Sequence, residues 1–493
     1  MNASYIYLFS FCVVVGDVML FTQRKIMIIV WILLLAMVAS GCTKNAVVQD
    51  VSNLWVVMEN SSVCEKQVRA AIHHFEDEHE GITINLEILP ADAEEAAIRA
   101  EQLRVEIMAG SGPDIYLVPR LNVTESTLIQ DVELSMRNDI FMDISAYYDA
   151  DKELDKNALN TAIMDAGIID GNRYVLPFRY TIPVVYANMD MLREAGFNSE
   201  LLEGSTLNAL HTLTDSDKQT FAFGMNFLPH GYAMNFLSRI VDYDNSEVTL
   251  TYEMLANYMH SYQELLDKAG TNLPYWLDQL PRGYYIRDKH WCLDGNSVYI
   301  SWLNEAAVNV AIAQALEFDM QMFPVRTQDG LVVADITFFG AVGSNCSNPE
   351  TAYMFLRMFL LEEYQWENAQ STDYEITHPQ IEMISIGWPV RTKGCEDTIW
   401  RAQWSNSYDP DINYENAGVY ERIQKLRFLH LSEGDLPILS CEIDEARFAI
   451  ATEFILAETL CELNSGSGKP TDLNIDTATI DIVNELQWSI AEG

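Results

Sequence analysis

The sequence is short of basic residues: 30 Lys and Arg stand against 72 Asp and Glu, for a formal charge of −42. That imbalance argues against nucleic acid and anionic lipid as partners, since both repel an acidic chain. It also disfavours a highly anionic ligand. Cysteines are few, eight in all, and none is spaced C-x-x-C, which argues against a zinc site. Catalytic signatures are missing too. There is no H-E-x-x-H, no G-x-S-x-G and no phosphate loop. The nearest approach to the last, residues 464–470, lacks the upstream Gly and a Ser or Thr after Lys469. Beyond residue 41 no apolar run is long enough to span a bilayer.

What is present begins with an address. Arg24 and Lys25 precede a continuous apolar run, residues 26–38, followed by Ala39, Ser40, Gly41 and Cys42. This is the pattern of a secretory leader with small residues at the cut site. The Cys directly after Gly41 resembles a bacterial lipoprotein signal, in which Cys42 carries the lipid and becomes the mature N-terminus. Ala39 departs from the leucine usual there. The alternative is a membrane-spanning helix, but the run is shorter than the roughly 20 residues a span needs. Residues 1–41 are therefore expected to be leader and 42–50 a lipidated linker. Asp17 interrupts the earlier apolar stretch, so initiation at Met19 would give a signal of ordinary length.

The remaining chain is too long for one core and rich enough in apolar residues, 49%, to bury two or three. Residues 54–58 read as a strand. From 62 to 78, Val68, Ala71, Ile72 and Phe75 share a helical face. Residues 82–88 alternate apolar and polar. Asp92 and Glu95 form a capping-box pattern, Ala96, Ala100, Leu103 and Ile107 make a helical stripe, and Gly110 stands where a terminating glycine belongs. Residues 114–118 are the next strand. The order β-α-β-α-β implies a parallel sheet with right-handed crossovers. Ligands of such sheets bind beyond the carboxyl ends of the strands. Asp114, after the Gly112-Pro113 turn, is expected to cap backbone amides of that turn.

Several segments, in order, resemble one family. They are "AGSGPDIY" (109–116), "FMDISAYYDAD" (141–151), "DGNRYVLPFRYTIPVVYANMDMLREAG" (170–196), "CLDGNSVYISW" (292–302), "FDMQMFPVRTQDG" (318–330), "GSNCSNPETAYMFLRMFLLEEYQ" (343–365) and "IGWPVR" (386–391). They are similar to the extracellular solute-binding proteins, family 1, of bacterial ABC sugar importers. The likeness runs from about residue 50 to 391 and is faint in the tail. It implies an α/β, two-lobe periplasmic-binding-protein-like fold with a three-crossing hinge and an interlobe ligand cleft. The crossings would fall near Arg179–Thr181, Met322–Arg326 and Leu361–Glu367. The first lobe would be 51–179 plus 326–362, and the second 180–325 plus 363–493.

Matching segments place ten candidate ligand contacts: Glu59, Asn60, Tyr116, Arg179, Tyr180, Thr181, Trp302, Asn304, Phe339 and Trp388. Aromatic residues make up 11% of the chain. Flat rings bury the C–H faces of sugars while polar side chains pair with their hydroxyls. No metal or cofactor is expected. Asp149, Asp151, Glu153 and Asp155 alternate as in a calcium loop, but Leu154 and Asn160 stand where an EF-hand needs Gly and an acid. Residues 242–247, with Glu253 further on, likewise lack the glycine. His73, His74 and His79 read as solvated. Six cysteines beyond Cys42 permit disulfides without requiring them. The resemblance implies a non-enzymatic, monomeric surface lipoprotein that binds a neutral sugar, more readily an oligosaccharide, and hands it to ABC permease subunits. A surface glycoside hydrolase and a ligand-binding partner of a membrane sensor are the alternatives.

Overall fold

The computed structural model describes residues 53–120, 128–194, 196–214, 222–225, 236–237, 240–242, 245, 247–269, 297–303, 310, 319–365, 386–392, 441–448 and 472–492. The leader, Cys42 and Asn304 lie outside them. From Leu54 onward the chain is one unit, distinct from the segment before it.

The first strands and helices form where periodicity places them. β1 (Asn53–Met58) leads to α1 (Ser62–Glu78), whose N-cap Ser61 accepts from the Cys64 amide at 3.3 Å. The buried face of α1 is Cys64, Gln67, Val68, Ala71, Ile72 and Phe75. After β2 (Thr83–Ile88), Asp92 caps α2 (Ala93–Met108) by accepting from the Glu94 and Glu95 amides, each at 3.1 Å. The far end of α2 closes as a Schellman motif. Gly110 sits at φ +76 and donates to the Ile107 carbonyl, and Ser111 donates to Glu106. The chain then enters β3 (Ile115–Pro119), which pairs with β1 in parallel, Val57 opposite Tyr116. Asp114 does not cap its own turn. Its Oδ2 accepts from the Trp55 amide of β1 at 2.8 Å, which pins the two strands together.

The parallel arrangement does not continue through the sheet. A small hairpin of β4 (Ile168–Ile169) and β5 (Asn172–Arg173) precedes β6 (Val175–Thr181), which belongs to the same sheet as β1–β3. The next strands, β7 (Pro183–Asn188) and β8 (Ala222–Met225), belong to a second sheet. Helix α3 (Thr206–Thr214), a short hairpin of β9 (Val241–Asp242) and β10 (Glu247–Val248), and α4 (Tyr252–Ala269) follow. β11 (Ser297–Trp302) and β12 (Met320–Pro324) complete the second sheet, in the order β12-β7-β11-β8. The chain then returns to the first sheet as β13 (Val333–Val342). After α5 (Pro349–Met358) and α6 (Glu362–Gln365) come β14 (Trp388–Pro389) and β15 (Glu445–Arg447). The first sheet runs β14-β6-β13-β3-β1-β2, with β15 also on β13. β13 is antiparallel to both β3 and β6, so the sheet is mixed.

Two hydrophobic clusters form around these sheets. Alternation along β7 divides its side chains between them: Val184 and Tyr186 go to the first, Val185 and Ala187 to the second. The C-terminal helix α7 (Asp472–Glu492) contributes Ile475, Ile482 and Leu486 to the second. β14 and β15 hydrogen-bond to β6 and β13 of the first sheet. The reason is that β6 and β13 are long enough to offer unpaired edges, which these two short segments fill.

Candidate functional site

The strand registers bring one end of the first sheet together with the crossings to the second. Thr181, the last residue of β6, lies opposite Asp335 near the start of β13, and Tyr180 lies opposite Ile336. On the other side of β13, Phe338 faces Pro119, and the Arg120 amide donates to the Thr337 carbonyl at 2.6 Å. The carboxyl ends of β1, β3 and β6 thus share an edge, where the fold class places a ligand. Ile182 alone separates β6 from β7, and its carbonyl accepts from the Leu303 amide just past β11. The second sheet therefore begins directly beside this edge.

Polar side chains gather there despite deep burial. Arg120, Thr181, Asp335 and Thr337 are each under 5% exposed. β15 pairs with β13 just beyond the point where β3 stops, and places Arg447 opposite Asp335. Arg447 Nε donates to Asp335 Oδ1 at 2.8 Å. A register irregularity between Ile336 and Phe338 bulges β13 at Thr337; bulges re-aim side chains at functional edges. Gly387, at φ +153, lets β14 approach. A Cβ there would stand 2.3 Å from the Thr337 hydroxyl and 2.7 Å from the Tyr180 carbonyl.

The ten sequence candidates distribute unevenly. Glu59 and Asn60 follow β1 at the edge. Glu59 is half-buried, with Oε1 3.4 Å from the Leu128 amide. Asn60 is exposed and donates to the Leu89 carbonyl at 3.2 Å. Tyr180, Thr181 and Trp388 lie on adjacent strands at the same edge, Trp388 opposite Tyr180. Trp302 ends β11 opposite Pro183 and belongs to the second cluster. Tyr116 and Phe339 are core residues by position. The Tyr116 ring packs edge-on to Phe141 at 5.5 Å, and Phe339 packs on Phe448 at 5.0 Å. Burial, reinforced by nearby Asp114, raises the Tyr116 phenol pKa.

Arg179 is 2% exposed, and its Nη2 donates to the carbonyls of Tyr364 and Gln365, each at 3.3 Å. Burial lowers its pKa to about 10. Gln67 donates to the same Tyr364 carbonyl at 3.0 Å, and Gln365 donates to the Phe178 carbonyl at 3.2 Å. These bonds tie the end of α6 to α1 and β6.

Asp335 and Arg447 were not among the candidates. The signal for Asp335 is a lone acid in the apolar stretch "LVVADITFFGAV" (331–342); Arg447 carries none, because its role depends on a distant pairing. Among the described residues no group of His, Cys, Asp or Glu could hold a metal ion. The Asp151 loop is instead spent on hydrogen bonds to Tyr353 and Arg357. His74 sits between the Tyr364 hydroxyl and Glu78, and His79 bonds the Phe75 carbonyl. Cys64, Cys346 and Cys441 are free thiols.

Residues 62–278 match the model of the family described as bacterial extracellular solute-binding protein. No curated protein matches the sequence. Among solved structures, the chain is similar to an extracellular solute-binding protein family 1 from Alicyclobacillus acidocaldarius, at 14% identity and a TM-score of 0.50, over 88% of this chain and 98% of that one. It is similar to a periplasmic solute binding protein from Pectobacterium atrosepticum, at 13% identity and 0.52, over 90% and 99%. A third is the galacto-N-biose-/lacto-N-biose I-binding protein of an ABC transporter from Bifidobacterium longum, in complex with lacto-N-biose, at 16% identity and 0.51, over 89% and 98%. Residues 62–278 thus resemble the bacterial extracellular solute-binding proteins in sequence, and the mixed α/β fold of the chain is the two-lobe fold of these structures.

Proposed function

We propose that the chain is a surface lipoprotein, anchored through Cys42, that binds a neutral carbohydrate between its lobes and delivers it to an ABC importer without chemically changing it. The observation that carries this reading is the family match over residues 62–278 together with the fold. The Bifidobacterium longum protein, in complex with lacto-N-biose, supports a sugar as the ligand class. The edge of the first sheet supports it further. It offers carboxylate, guanidinium, hydroxyl and amide groups beside Tyr180 and Trp388, the mix that pairs with hydroxyls and covers apolar sugar faces. Its charges are balanced, Asp335 against Arg447, which suits an uncharged ligand. Binding would draw the lobes together through contacts made only in the closed form.

The experiment is uptake in the native bacterium. Labelled malto-, manno- and galacto-oligosaccharides are supplied to the parent strain, a strain deleted for this gene, and the deletion carrying Cys42→Ser. The reading predicts that deletion abolishes accumulation of at least one label and that the Cys42→Ser chain fails to restore it. Normal accumulation of every label without the gene would contradict delivery to an importer.

A further inference from the structure

β13 and β6 keep one register along their shared length except at a single point. Asp335 lies opposite Thr181 and Ile336 opposite Tyr180; farther on, Phe339 lies opposite Pro177 and Gly340 opposite Leu176. Between these pairs Phe338 lies opposite Arg179, so Thr337 is an extra residue on β13 and Phe178 an extra residue on β6. The two irregularities, one on each strand, cancel, and the ladder resumes as before. On its other side β13 shows no break. Phe338 to Val342 pair with Pro119 to Ile115, and the Arg120 amide continues that ladder to the Thr337 carbonyl at 2.6 Å. The bulge therefore leaves the sheet's register as it was; its effect is to re-aim Thr337 at the edge where β3 and β6 end.

Thr337 is 3% exposed, and its buried hydroxyl has no hydrogen-bond partner among the described residues. A buried hydroxyl left unpaired costs free energy, and few are found in folded proteins. Packing does not require it here, because a valine would fill the same space. Gly387 approaches with backbone alone; a Cβ there would stand 2.3 Å from the hydroxyl. We propose that Thr337 is a specificity-determining residue, whose hydroxyl pairs with one hydroxyl of a carbohydrate bound at this edge. This rests on reading the chain as a carbohydrate-binding protein whose lobes close on the sugar. With the lobes apart, water satisfies the group; on closure the sugar hydroxyl takes the water's place. A threonine hydroxyl both donates and accepts, as a sugar hydroxyl does, and the neighbouring Asp335 is already neutralised by Arg447. A sugar lacking a hydroxyl at that position would leave Thr337 stranded in the closed form and would be rejected for that reason.

The test compares Thr337→Val and Thr337→Ser with the parent, by thermal unfolding without sugar and by titration calorimetry with lacto-N-biose, maltotriose and mannotriose. Thr337→Val should be at least as stable as the parent when free, since it exchanges an unpaired hydroxyl for a methyl group. It should bind whichever of the three sugars the parent binds about tenfold more weakly, while Thr337→Ser stays within about threefold. Singly deoxygenated forms of that sugar then locate the contact: for one of them the gap between parent and Thr337→Val should vanish. Equal affinity of parent and Thr337→Val for the intact sugar would overturn the proposal. So would a free Thr337→Val chain that unfolds well below the parent while Thr337→Ser does not, because the hydroxyl would then have its partner within the protein. Absence of heat from all three sugars with the parent itself would overturn the carbohydrate reading, and the proposal with it, before any variant is compared.

Discussion

Arg179 Nη2 lies 3.3 Å from the carbonyl oxygen of Gln365, so a cation at the crossing strand is held by the end of a helix. Carbonyls at a helix C-terminus lack intrahelical donors and carry partial negative charge. They offset part of the cost of burying the guanidinium.

This placement yields a prediction for Arg179→Ala. It removes donors from buried carbonyls and leaves a void, which costs about 2–4 kcal/mol of stability. Calorimetric unfolding of parent and variant measures it. Sugar affinity should stay within about tenfold of the parent. Unchanged stability with a large loss of affinity would show instead that Arg179 contacts the ligand.

Much of the first half of the fold is legible in the sequence. The α1 and α2 stripes, the Asp92 cap and the Gly110 terminator are local signals, and local hydrogen bonds realise each of them. The mixed sheet is not legible. β13 runs antiparallel to β3 because the chain returns from the second sheet, and no residue near 333–342 announces that. The site follows the same division. Tyr180, Thr181 and Trp388 lie together at the sheet edge through the β6–β13 and β6–β14 pairings, which no local signal announces. Tyr116 and Phe339 fall in the core because β3 and β13 are interior strands buried along their whole length. Arg447 reaches Asp335 across a separation of 112 residues, a pairing that only tertiary structure sets.

Trp302 provides a second prediction. It is 7% exposed and packs in the second cluster. Trp302→Ala should therefore cost about 3–5 kcal/mol of stability, the range for deleting a core aromatic. Chemical denaturation of the two chains is the check. A stability loss below about 1 kcal/mol with weakened sugar binding would make the indole a ligand platform instead.

A third prediction concerns acid. Burial works against ionisation of Asp151, but hydrogen bonds from the Tyr353 hydroxyl and the Leu154 and Glu153 amides, with Arg357 nearby, hold its pKa below the usual 3.8. A carboxylate with a depressed folded pKa contributes stability that is present above the unfolded value and is lost as pH falls through the folded one. Asp151→Asn should thus cost about 1–2 kcal/mol at pH 7, and the difference from the parent should shrink below pH 3.8. A difference independent of pH would assign the cost to packing alone.

Membrane attachment gives the fourth. With Cys42 lipidated, each buried CH₂ supplies about 0.8 kcal/mol of anchoring. Cys42→Ser should move the protein to the soluble fraction on ultracentrifugation of lysed cells. Retention in the membrane with the leader intact would make the run at 26–38 a true span.

The most direct measurement of the central claim is titration calorimetry of the purified protein. Lacto-N-biose, maltotriose and mannotriose are titrated in turn, then a tripeptide, galacturonate and inorganic phosphate. The account predicts saturable heat with at least one neutral sugar and a negative heat-capacity change, as apolar sugar faces and lobe surfaces leave water. Saturation by peptide or phosphate, with no heat from any of the sugars, would contradict it.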